Sequence, residues 1–175
     1  MITYVIPCLL GLEKLVSDEV KRLGLSDVQA ENGRVLCQGA WADCARLNVN
    51  LRCGARVIAV LARFPARSFE ELFQGTKSVA WEEYLPLDGA FPVKDDVAIG
   101  LDTSGEGLYK RGYRAVGVEA PLRETLAAAL VTLSRYRGKD PFCDPFCGSG
   151  TIPIEAALIA KNRAPGLDRR FDAQR

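Results

Sequence analysis

The first 64 residues alternate between strand and helix patterns in an order that few folds can accommodate. Thr3–Pro7 is a short apolar segment, and apolar residues at helical spacing follow it until Gly24, a residue type common at helix C-termini. Asn32-Gly33 separates two strand-like segments and is a strong signal for a hairpin turn. A second helical pattern covers Ala40–Asn50, and Arg56–Phe64 ends the unit as a strand. The order β-α-β-β-α-β predicts a ferredoxin-like sandwich. We expect the second helix to turn four residues inward, namely Trp41, Cys44, Ala45 and Leu47.

The segment that follows this unit contains too few elements to bury a core of its own. Ser68-Phe69-Glu70-Glu71 has the form of a capping box and predicts a helix that runs through about Tyr84. Ala90–Lys94 and Val97–Leu101 have the composition of strands. We therefore expect either that residues are missing near Lys94–Asp95 or that these pieces pack against a neighbouring unit.

The C-terminal part combines two apolar helices with a glycine-rich loop between them. Pro121 suits the first turn of a helix that ends before Gly138. The apolar stripe of this helix consists of Leu122, Leu126, Ala129, Leu130 and Leu133. Pro141–Cys143 has the apolar character of a short strand, and Ile152–Lys161 is apolar on nearly all sides, as expected for a helix packed on a sheet. A strand, a glycine loop and an apolar helix in this order are typical of an open α/β sheet.

Composition excludes several kinds of chemistry. The chain has no histidine, so Ser-His-Asp catalysis, Cys-His catalysis and histidine-ligated metals are impossible within it. Lys and Arg number 23 against 22 Asp and Glu, and this balance gives no global positive field to attract nucleic acid. Basic residues are concentrated locally, with seven basic and two acidic residues between Leu108 and Lys139. The six cysteines lack the spacing of a disulfide or zinc framework, so we expect buried free thiols and no metal.

The sequence shows no signal for secretion or membrane insertion. Met1–Pro7 lacks the basic region and long apolar stretch of a secretory signal. No apolar run approaches the roughly 20 residues that a membrane-spanning helix needs. These observations predict a cytoplasmic protein.

The pattern Asp144-x-x-x-Gly148-x-Gly150 lies where open α/β sheets bind ligands, between a strand pattern and a helix pattern. The glycines allow a ligand to approach the backbone, and the first amides of the following helix can bind a carboxylate or phosphate. Asp144 adds a negative charge that suits an ammonium or hydroxyl group. A ligand with both an amine and a carboxylate fits better than a pyrophosphate, so the pattern favours S-adenosylmethionine over NAD.

Other glycine-loop motifs fit this segment less well. Pro153 stands where a dinucleotide loop has its third glycine, and no Gly-Lys-Ser/Thr of a P-loop follows. Cys147 stands two positions before Ser149, so the Gly-x-Ser-x-Gly nucleophile motif is absent. A plain glycine-rich turn between strand and helix, without a ligand, stays open as an alternative.

Several ordered motifs between Leu108 and Phe171 carry a family resemblance. They are Lys110-Arg111-Gly112-Tyr113-Arg114, Glu119–Leu130, Asp144–Thr151 and Glu155-Ala156-Ala157. Together they closely resemble the THUMP-domain RNA methyltransferases, and among these most of all the large-subunit ribosomal RNA guanine-N2 methyltransferases and their transfer-RNA relatives. Thr3–Phe64 is similar to the ferredoxin-like domain that precedes THUMP in this family, and Ser68–Leu101 resembles parts of THUMP itself.

The resemblance implies an α/β protein with three parts. These are a ferredoxin-like domain over residues 1–64, a partial THUMP RNA-binding module over 65–107 and the N-terminal part of a Rossmann-like methyltransferase domain over 108–175. It implies S-adenosylmethionine contacts from Asp144, Pro145, Phe146, Cys147, Gly148, Ser149, Gly150, Thr151, Pro121, Leu122 and Thr125. It implies RNA contacts from Lys110, Arg111, Tyr113 and Arg114. The implied reaction is direct attack of the exocyclic amine of guanine on the donor's methyl group, with no metal.

The sequence departs from the family in several features, among them a missing acidic residue expected on the next strand to hold the ribose hydroxyls of the donor. The family's Asn/Asp-Pro-Pro-Tyr/Phe motif, which holds the target amine, is absent because the chain has no two consecutive prolines, so catalytic residues stay unassigned. Only 25 of the 175 residues follow Gly150, fewer than one β-α-β unit of about 30 residues. We therefore expect a fragment or an incompletely represented version of a larger enzyme. The alternatives are a transfer-RNA guanine-N2 methyltransferase, an adenine-N6 methyltransferase, a non-catalytic RNA-binding module and, more distantly, a nucleotide-dependent enzyme.

Overall fold

The computed structural model describes residues 1–81, 96–114 and 121–171. Within these ranges the chain forms a five-stranded antiparallel sheet and five α-helices. The strands are β1 (Ile2–Pro7), β2 (Ser26–Glu31), β3 (Arg34–Gly39), β4 (Ile58–Pro65) and β5 (Asp96–Asp102). The helices are α1 (Glu13–Arg22), α2 (Asp43–Asn50), α3 (Phe69–Lys77), α4 (Glu124–Leu133) and α5 (Thr151–Ala160). The strand order in the sheet is β2-β3-β1-β4-β5.

The first four strands and two helices have the predicted ferredoxin-like arrangement. β1 pairs antiparallel with β3 on one side and with β4 on the other, and β2 pairs with β3. Gly33 has a φ of 72°, a left-handed value that glycine adopts without steric cost in the predicted hairpin turn. The amide of Gly24 donates to the carbonyl of Lys21 at 3.0 Å, which ends α1 at the predicted glycine.

The hydrophobic core lies against the strands and helices of this unit. Its most deeply buried side chains include Tyr4, Ile6, Val16, Val20, Val35, Leu47 and Val57. The core continues into the C-terminal part of the chain through Leu108, Ala128 and Phe171. The ferredoxin-like unit and the segment after residue 107 therefore share one core.

The inward face of α2 differs from the prediction. Cys44 and Leu47 are buried as expected, whereas Trp41 and Ala45 are exposed. The helix begins only at Asp43, so Trp41 lies in the turn before it and does not follow the helical spacing. A polar residue, Asn48, completes the buried face, and its side-chain amide donates to the carbonyl of Cys44 at 3.0 Å and to Thr103 Oγ1 at 2.8 Å.

β5 extends the sheet across the predicted boundary between residues 64 and 65. It pairs antiparallel with β4 from Ile58 opposite Asp102 to Pro65 opposite Asp96. β5 therefore pairs with a strand of the ferredoxin-like unit. Packing of this segment against a neighbouring unit is one of the two arrangements expected from the sequence. The domain limits at 64 and 107 and the THUMP assignment stay predictions, and the predicted strand Ala90–Lys94 lies outside the described residues.

α3 begins where the capping box predicts and ends earlier than predicted. The amide of Glu71 donates to Ser68 Oγ at 3.2 Å, as expected for an N-cap. The helix ends at Lys77 rather than near Tyr84. Ser78 Oγ donates to the carbonyl of Gly75 at 2.7 Å, a local hydrogen bond of the kind that competes with helix continuation.

α4 buries its three consecutive alanines and exposes two leucines of its predicted apolar stripe. It begins at Glu124, so Pro121 and Leu122 precede the helix rather than open it. Three consecutive alanines, Ala127 to Ala129, are buried, whereas Leu130 and Leu133 of the predicted apolar stripe are exposed. Alanines allow α4 to pack closely against α5 and the N-terminal core, and this close packing directs the longer leucines outward.

Pro141–Cys143 does not form the predicted strand. The segment is irregular, and it pairs with no strand of the described residues. A strand gains its stability from a hydrogen-bonded neighbour, which the described part of the chain does not provide here.

The six cysteines are free thiols that differ in their burial. Cys37, Cys44 and Cys53 are buried free thiols as predicted, whereas Cys143 and Cys147 are exposed free thiols, contrary to expectation. None of the helices in residues 1–81, 96–114 and 121–171 is long and apolar enough to span a bilayer. The same ranges contain no cluster of three or more side chains suited to hold a metal ion.

Candidate functional site

Residues 144–150 form an exposed loop directly before α5. Phe146 is 93% exposed, and Cys147, Gly148 and Ser149 are exposed as well. Gly148 and Gly150 have φ values of 52° and 77°, in the left-handed region that favours glycine. A Cβ atom at Gly148 would meet no heavy atom of the described chain within 4 Å. The backbone of this loop is therefore open to a ligand.

One carboxylate oxygen of Asp144 accepts a hydrogen bond within the loop, and the other has no partner within the described residues. Its Oδ1 accepts a hydrogen bond from the amide of Phe146 at 3.1 Å. Its Oδ2 is buried and has no hydrogen-bond partner within the described residues. Burying a carboxylate oxygen without a partner costs free energy. An ammonium or hydroxyl group of a ligand would satisfy this oxygen with a charge-assisted hydrogen bond.

The N-terminus of α5 presents amides beside this carboxylate. Gly150 caps the helix in a left-handed conformation, and its own amide donates to the carbonyl of Cys147 at 2.8 Å. The amides of Thr151 and Ile152 donate to no backbone carbonyl of the described residues. Pro153 follows in the first turn, where its missing N–H costs nothing. Unpaired amides at a helix N-terminus favour an anionic group.

The other predicted cofactor-binding residues lie near this loop but are not all accessible. Pro121 is exposed, Leu122 is half-buried and Thr125 is buried. Arg114 connects this segment to the loop, because its Nη2 donates to the carbonyl of Leu122 at 3.0 Å and to Thr151 Oγ1 at 2.5 Å. One guanidinium group thus contacts both of the segments to which the resemblance assigns the cofactor.

A groove of about 1070 Å³ is lined by Arg114 and also by Pro121 and Leu122 of the predicted cofactor segment. Its remaining lining has more basic than acidic side chains and two aromatic rings, namely Tyr109, Lys110, Arg111, Arg123, Arg169, Arg170, Phe171, Glu106, Glu124 and Asp168. The guanidinium of Arg123 lies over the ring of Tyr109, 5.4 Å from its centroid. Lys110 is exposed at this groove and pairs with Glu106, its Nζ 2.6 Å from the carboxylate. Cationic and aromatic side chains in one groove suit phosphates and unstacked bases.

Arg111 also borders this groove, but its side chain is almost fully buried, unlike the exposed RNA contact that the sequence predicted. Its side chain is 2% exposed and lies 3.4 Å from Glu155 Oε1, whose side chain is fully buried. It also donates to the carbonyls of Leu108 at 2.7 Å and Arg52 at 2.6 Å. These partners belong to the protein interior, so Arg111 joins three segments of the chain, and its predicted RNA contact stays a prediction.

Tyr113 and Glu155 belong to the same buried cluster. The Tyr113 hydroxyl donates to Glu155 Oε1 at 3.1 Å, so the phenol points inward rather than toward the groove. Burial raises the pKa of the Glu155 carboxyl, and the charge of Arg111 offsets part of this increase. Burial, followed by the charge of Glu155, raises the pKa of Tyr113. The second oxygen of Glu155, Oε2, has no hydrogen-bond partner within the described residues.

Sequence reasoning did not anticipate the buried carboxylates of Glu155 and Glu19. Glu19 is buried and accepts the amides of Arg52 at 3.1 Å and Cys53 at 3.2 Å through Oε2. The charge of Glu155 inside an otherwise apolar helix was an available signal for a buried ion pair. The sequence holds no comparable signal for Glu19, because α1 carries several other charged residues.

Two protein-family models match most of the chain. Residues 3–58 match the RlmL ferredoxin-like domain, and residues 111–174 match the RMKL-like methyltransferase domain. Each match covers about a third of the chain and shows similarity to one domain family over that segment. The loop before α5 lies within the second matched segment. The α/β fold class that the sequence predicted is confirmed by these matches.

Curated relatives align with nearly the whole chain. YpsC of Bacillus subtilis, provisionally named an RNA methyltransferase, is 37% identical over 214 residues, which cover 93% of this chain and 55% of the relative. The ribosomal RNA large subunit methyltransferase K/L of Photobacterium profundum is 32% identical over 211 residues, which cover 91% of this chain and 30% of the relative. The chain thus spans about half the length of the first relative and less of the second. Because the aligned stretches exceed the 175 residues of this chain, both relatives carry residues without a counterpart here.

Solved structures share the fold over 99% of this chain. A protein from Listeria monocytogenes, named as a predicted N6-adenine-specific DNA methylase, has a TM-score of 0.91 and 40% identity and is covered over 59% of its length. SMU.472, a methyltransferase by provisional name solved in complex with SAH, has a TM-score of 0.89 and 36% identity and is also covered over 59% of its length. The names of these relatives agree on methyl transfer and differ on the methylated substrate.

Proposed function

We propose that this chain supplies the methyl-donor loop of an S-adenosylmethionine-dependent RNA methyltransferase. The observation that carries the proposal is the buried, unpartnered Oδ2 of Asp144 beside an open glycine loop, within a segment of the methyltransferase domain family. The SAH complex of SMU.472 supports the same ligand class. S-adenosylmethionine supplies a methyl group attached to a positively charged sulfur. In this proposal Asp144 binds the amine of the ligand, and the amides of Thr151 and Ile152 bind its carboxylate.

We further propose that the intact enzyme methylates the exocyclic N2 of a guanine in large-subunit ribosomal RNA and works in the cytoplasm. The name of the Photobacterium profundum relative supports the ribosomal substrate. Lys110 contributes to RNA binding at the basic groove, where it is exposed. Transfer RNA is the alternative substrate. Adenine-N6 methylation is a second candidate, because the Listeria monocytogenes protein with the same fold carries that name.

Calorimetric titration with S-adenosylmethionine tests the donor site. We expect Asp144→Asn to weaken binding at least tenfold, because a hydrogen bond to a charged group contributes about 1.5 to 3 kcal/mol and each factor of ten corresponds to about 1.4 kcal/mol. Asp140→Asn is the matched control, since Asp140 is an exposed aspartate four residues earlier in the same segment. Equal affinity in the wild type and in Asp144→Asn would contradict the proposal. Binding of NAD in place of S-adenosylmethionine would favour the nucleotide-dependent alternative.

Methylation assays on ribosomal and transfer RNA, followed by mass spectrometry of the nucleosides, test the substrate. We expect N2-methylguanosine in ribosomal RNA. N2-methylguanosine in transfer RNA alone would favour the alternative substrate, and N6-methyladenosine would refute the guanine assignment. RNA binding without donor binding or methylation would indicate a non-catalytic module.

The RNA contact of Lys110 has its own test. We expect Lys110→Ala to lower RNA affinity and to reduce the slope of log affinity against log salt by about 0.7 to 0.9, as for the loss of one phosphate contact. Lys14→Ala is the control, because Lys14 is also exposed and also pairs with an acidic residue, Asp18. Both residues lie on α1, which does not line the groove. An unchanged slope in Lys110→Ala would remove this residue from the RNA interface.

A further inference from the structure

Arg114 makes its contacts with three different parts of the C-terminal segment. Its Nε lies 2.9 Å from Glu124 Oε1, at the first residue of α4. Its Nη2 donates to the carbonyl of Leu122 at 3.0 Å and to Thr151 Oγ1 at 2.5 Å. The Arg114 side chain is 22% exposed and that of Glu124 is 8% exposed, so the ion pair is largely shielded from water. A guanidinium group suits this arrangement because its planar fork presents several donors in fixed directions.

The contact with Thr151 places Arg114 next to the donor loop. Thr151 is buried, opens α5 and contributes one of the two free amides described above. Its Oγ1 also lies 3.1 Å from Ser149 Oγ, so the Arg114 contact continues into the loop through two hydroxyl groups. The position of these amides relative to Asp144 thus depends on how firmly the start of α5 is held.

We infer that Arg114 is a positioning residue for the methyl-donor site: it clamps the segment before α4 to the first residue of α5 and so fixes the amides that bind the ligand. This role replaces the RNA contact expected from the sequence, and it rests on the proposed function. The three contacts use Nε and Nη2 of the guanidinium group, so these donors are directed to protein acceptors although Arg114 also borders the groove. Lysine could retain the charge but could not hold three separate acceptors in the same geometry.

The binding test compares Arg114→Lys and Thr151→Val with Arg34→Lys. We expect each of the first two variants to weaken S-adenosylmethionine binding about tenfold, and the double variant to be weakened by much less than a hundredfold, because both changes remove the same contact. RNA affinity should stay within twofold of the wild-type value. Arg34→Lys is the matched control, since Arg34 pairs with Glu31 on the exposed side of a distant hairpin. Unchanged donor affinity in Arg114→Lys, or a loss of RNA affinity alone, would overturn the inference.

Hydrogen exchange measured without any ligand tests the clamp separately from the proposed function. We expect faster amide exchange across residues 149–156 in Arg114→Lys than in the wild type, and no change there in Arg34→Lys. Unchanged exchange in Arg114→Lys would refute the clamp even if the wild type binds S-adenosylmethionine. If exchange is faster in Arg114→Lys but the wild type does not bind S-adenosylmethionine, the clamp is upheld. The same result refutes the donor site that the clamp was inferred to serve and, with it, the proposed function.

Discussion

Replacing Arg111 by methionine should destabilise the whole fold, because this residue connects its two parts. The guanidinium group pairs with Glu155 of α5 and donates to backbone carbonyls of Arg52 and Leu108. Methionine has a similar length and no charge, so it fills most of the space and removes the interactions. The buried carboxylate of Glu155 then has no cation at hydrogen-bond distance within the described residues.

The magnitude follows from the burial of both partners. Removing one member of a buried ion pair costs about 3 to 5 kcal/mol, because the remaining charge stays buried without compensation. The side chains of Arg111 and Glu155 are 2% and 0% exposed, so solvent screening does not reduce this cost. For a chain of this length each kcal/mol lowers the melting temperature by about 2 to 4 °C, which gives a decrease of about 6 to 20 °C. Exchanging Glu155 for glutamine in the same protein should recover about 2 kcal/mol, since no buried charge then remains.

Urea denaturation followed by circular dichroism measures these differences. Lys110→Met is the matched control, because Lys110 is the adjacent residue and its ion pair with Glu106 is exposed on both sides. Exposed pairs contribute about 0 to 1 kcal/mol, so Lys110→Met should unfold at nearly the wild-type urea concentration. The reasoning is refuted if Arg111→Met costs less than about 1 kcal/mol, or if adding Glu155→Gln destabilises the protein further.

Two further predictions concern pH and the glycine turns. Burial raises the pKa of Glu19 in the folded protein above its usual value of 4.5. As the pH rises, Glu19 therefore loses its proton first in the unfolded state. This ionisation lowers the stability of the wild type between about pH 4.5 and the pKa of Glu19 in the folded protein. Glu19→Gln has no such ionisation, so the difference between its free energy of unfolding and that of the wild type should increase across the same pH interval. Urea titrations at several pH values measure this difference, and a difference that does not change with pH would contradict the prediction. A Cβ at Gly138 would lie 2.5 Å from Ala160 Cα, whereas one at Gly148 would meet open space, and both residues have positive φ. Gly138→Ala should therefore cost clearly more than the roughly 1 kcal/mol of backbone strain expected for Gly148→Ala, and equal thermal stability of the two variants would refute the packing argument.

Local sequence patterns predicted the elements that depend on local interactions. Asn32-Gly33, Gly24 and Ser68 marked the hairpin, the end of α1 and the start of α3, and the structure has each of these at the predicted position. Such signals act through backbone conformation and capping within a few residues. The end of α3 and the inward face of α2 were predicted less well. α3 ends at Lys77 and α2 begins at Asp43, and the sequence pattern did not mark either of these helix limits.

The exposed glycine loop before α5 was predicted from sequence, whereas the side-chain contacts around it were not. Asp144 and the two loop glycines form a compact pattern, and the loop lies open before α5 as that pattern predicts. Arg111 and Arg114 stand three residues apart in one basic motif and looked equivalent as RNA contacts. In the structure one faces Glu155 and the other faces Thr151, partners that are 44 and 37 residues away in sequence. Charge alone could not separate these roles, because a distant acidic or hydroxyl partner decides which way each side chain turns.

The same partners connect the ferredoxin-like unit to the C-terminal segment. Arg111 contacts backbone carbonyls of the N-terminal unit and a carboxylate of α5, and α5 begins directly after the glycine loop. A change that loosens this buried cluster should therefore reach the loop through α5 as well as lower the stability. Arg111→Lys offers a way to separate these effects, since it retains a buried cation for Glu155. If S-adenosylmethionine affinity falls in this variant at a temperature where it remains fully folded, the N-terminal unit helps to order the donor loop; if affinity is unchanged, the cluster contributes only to stability.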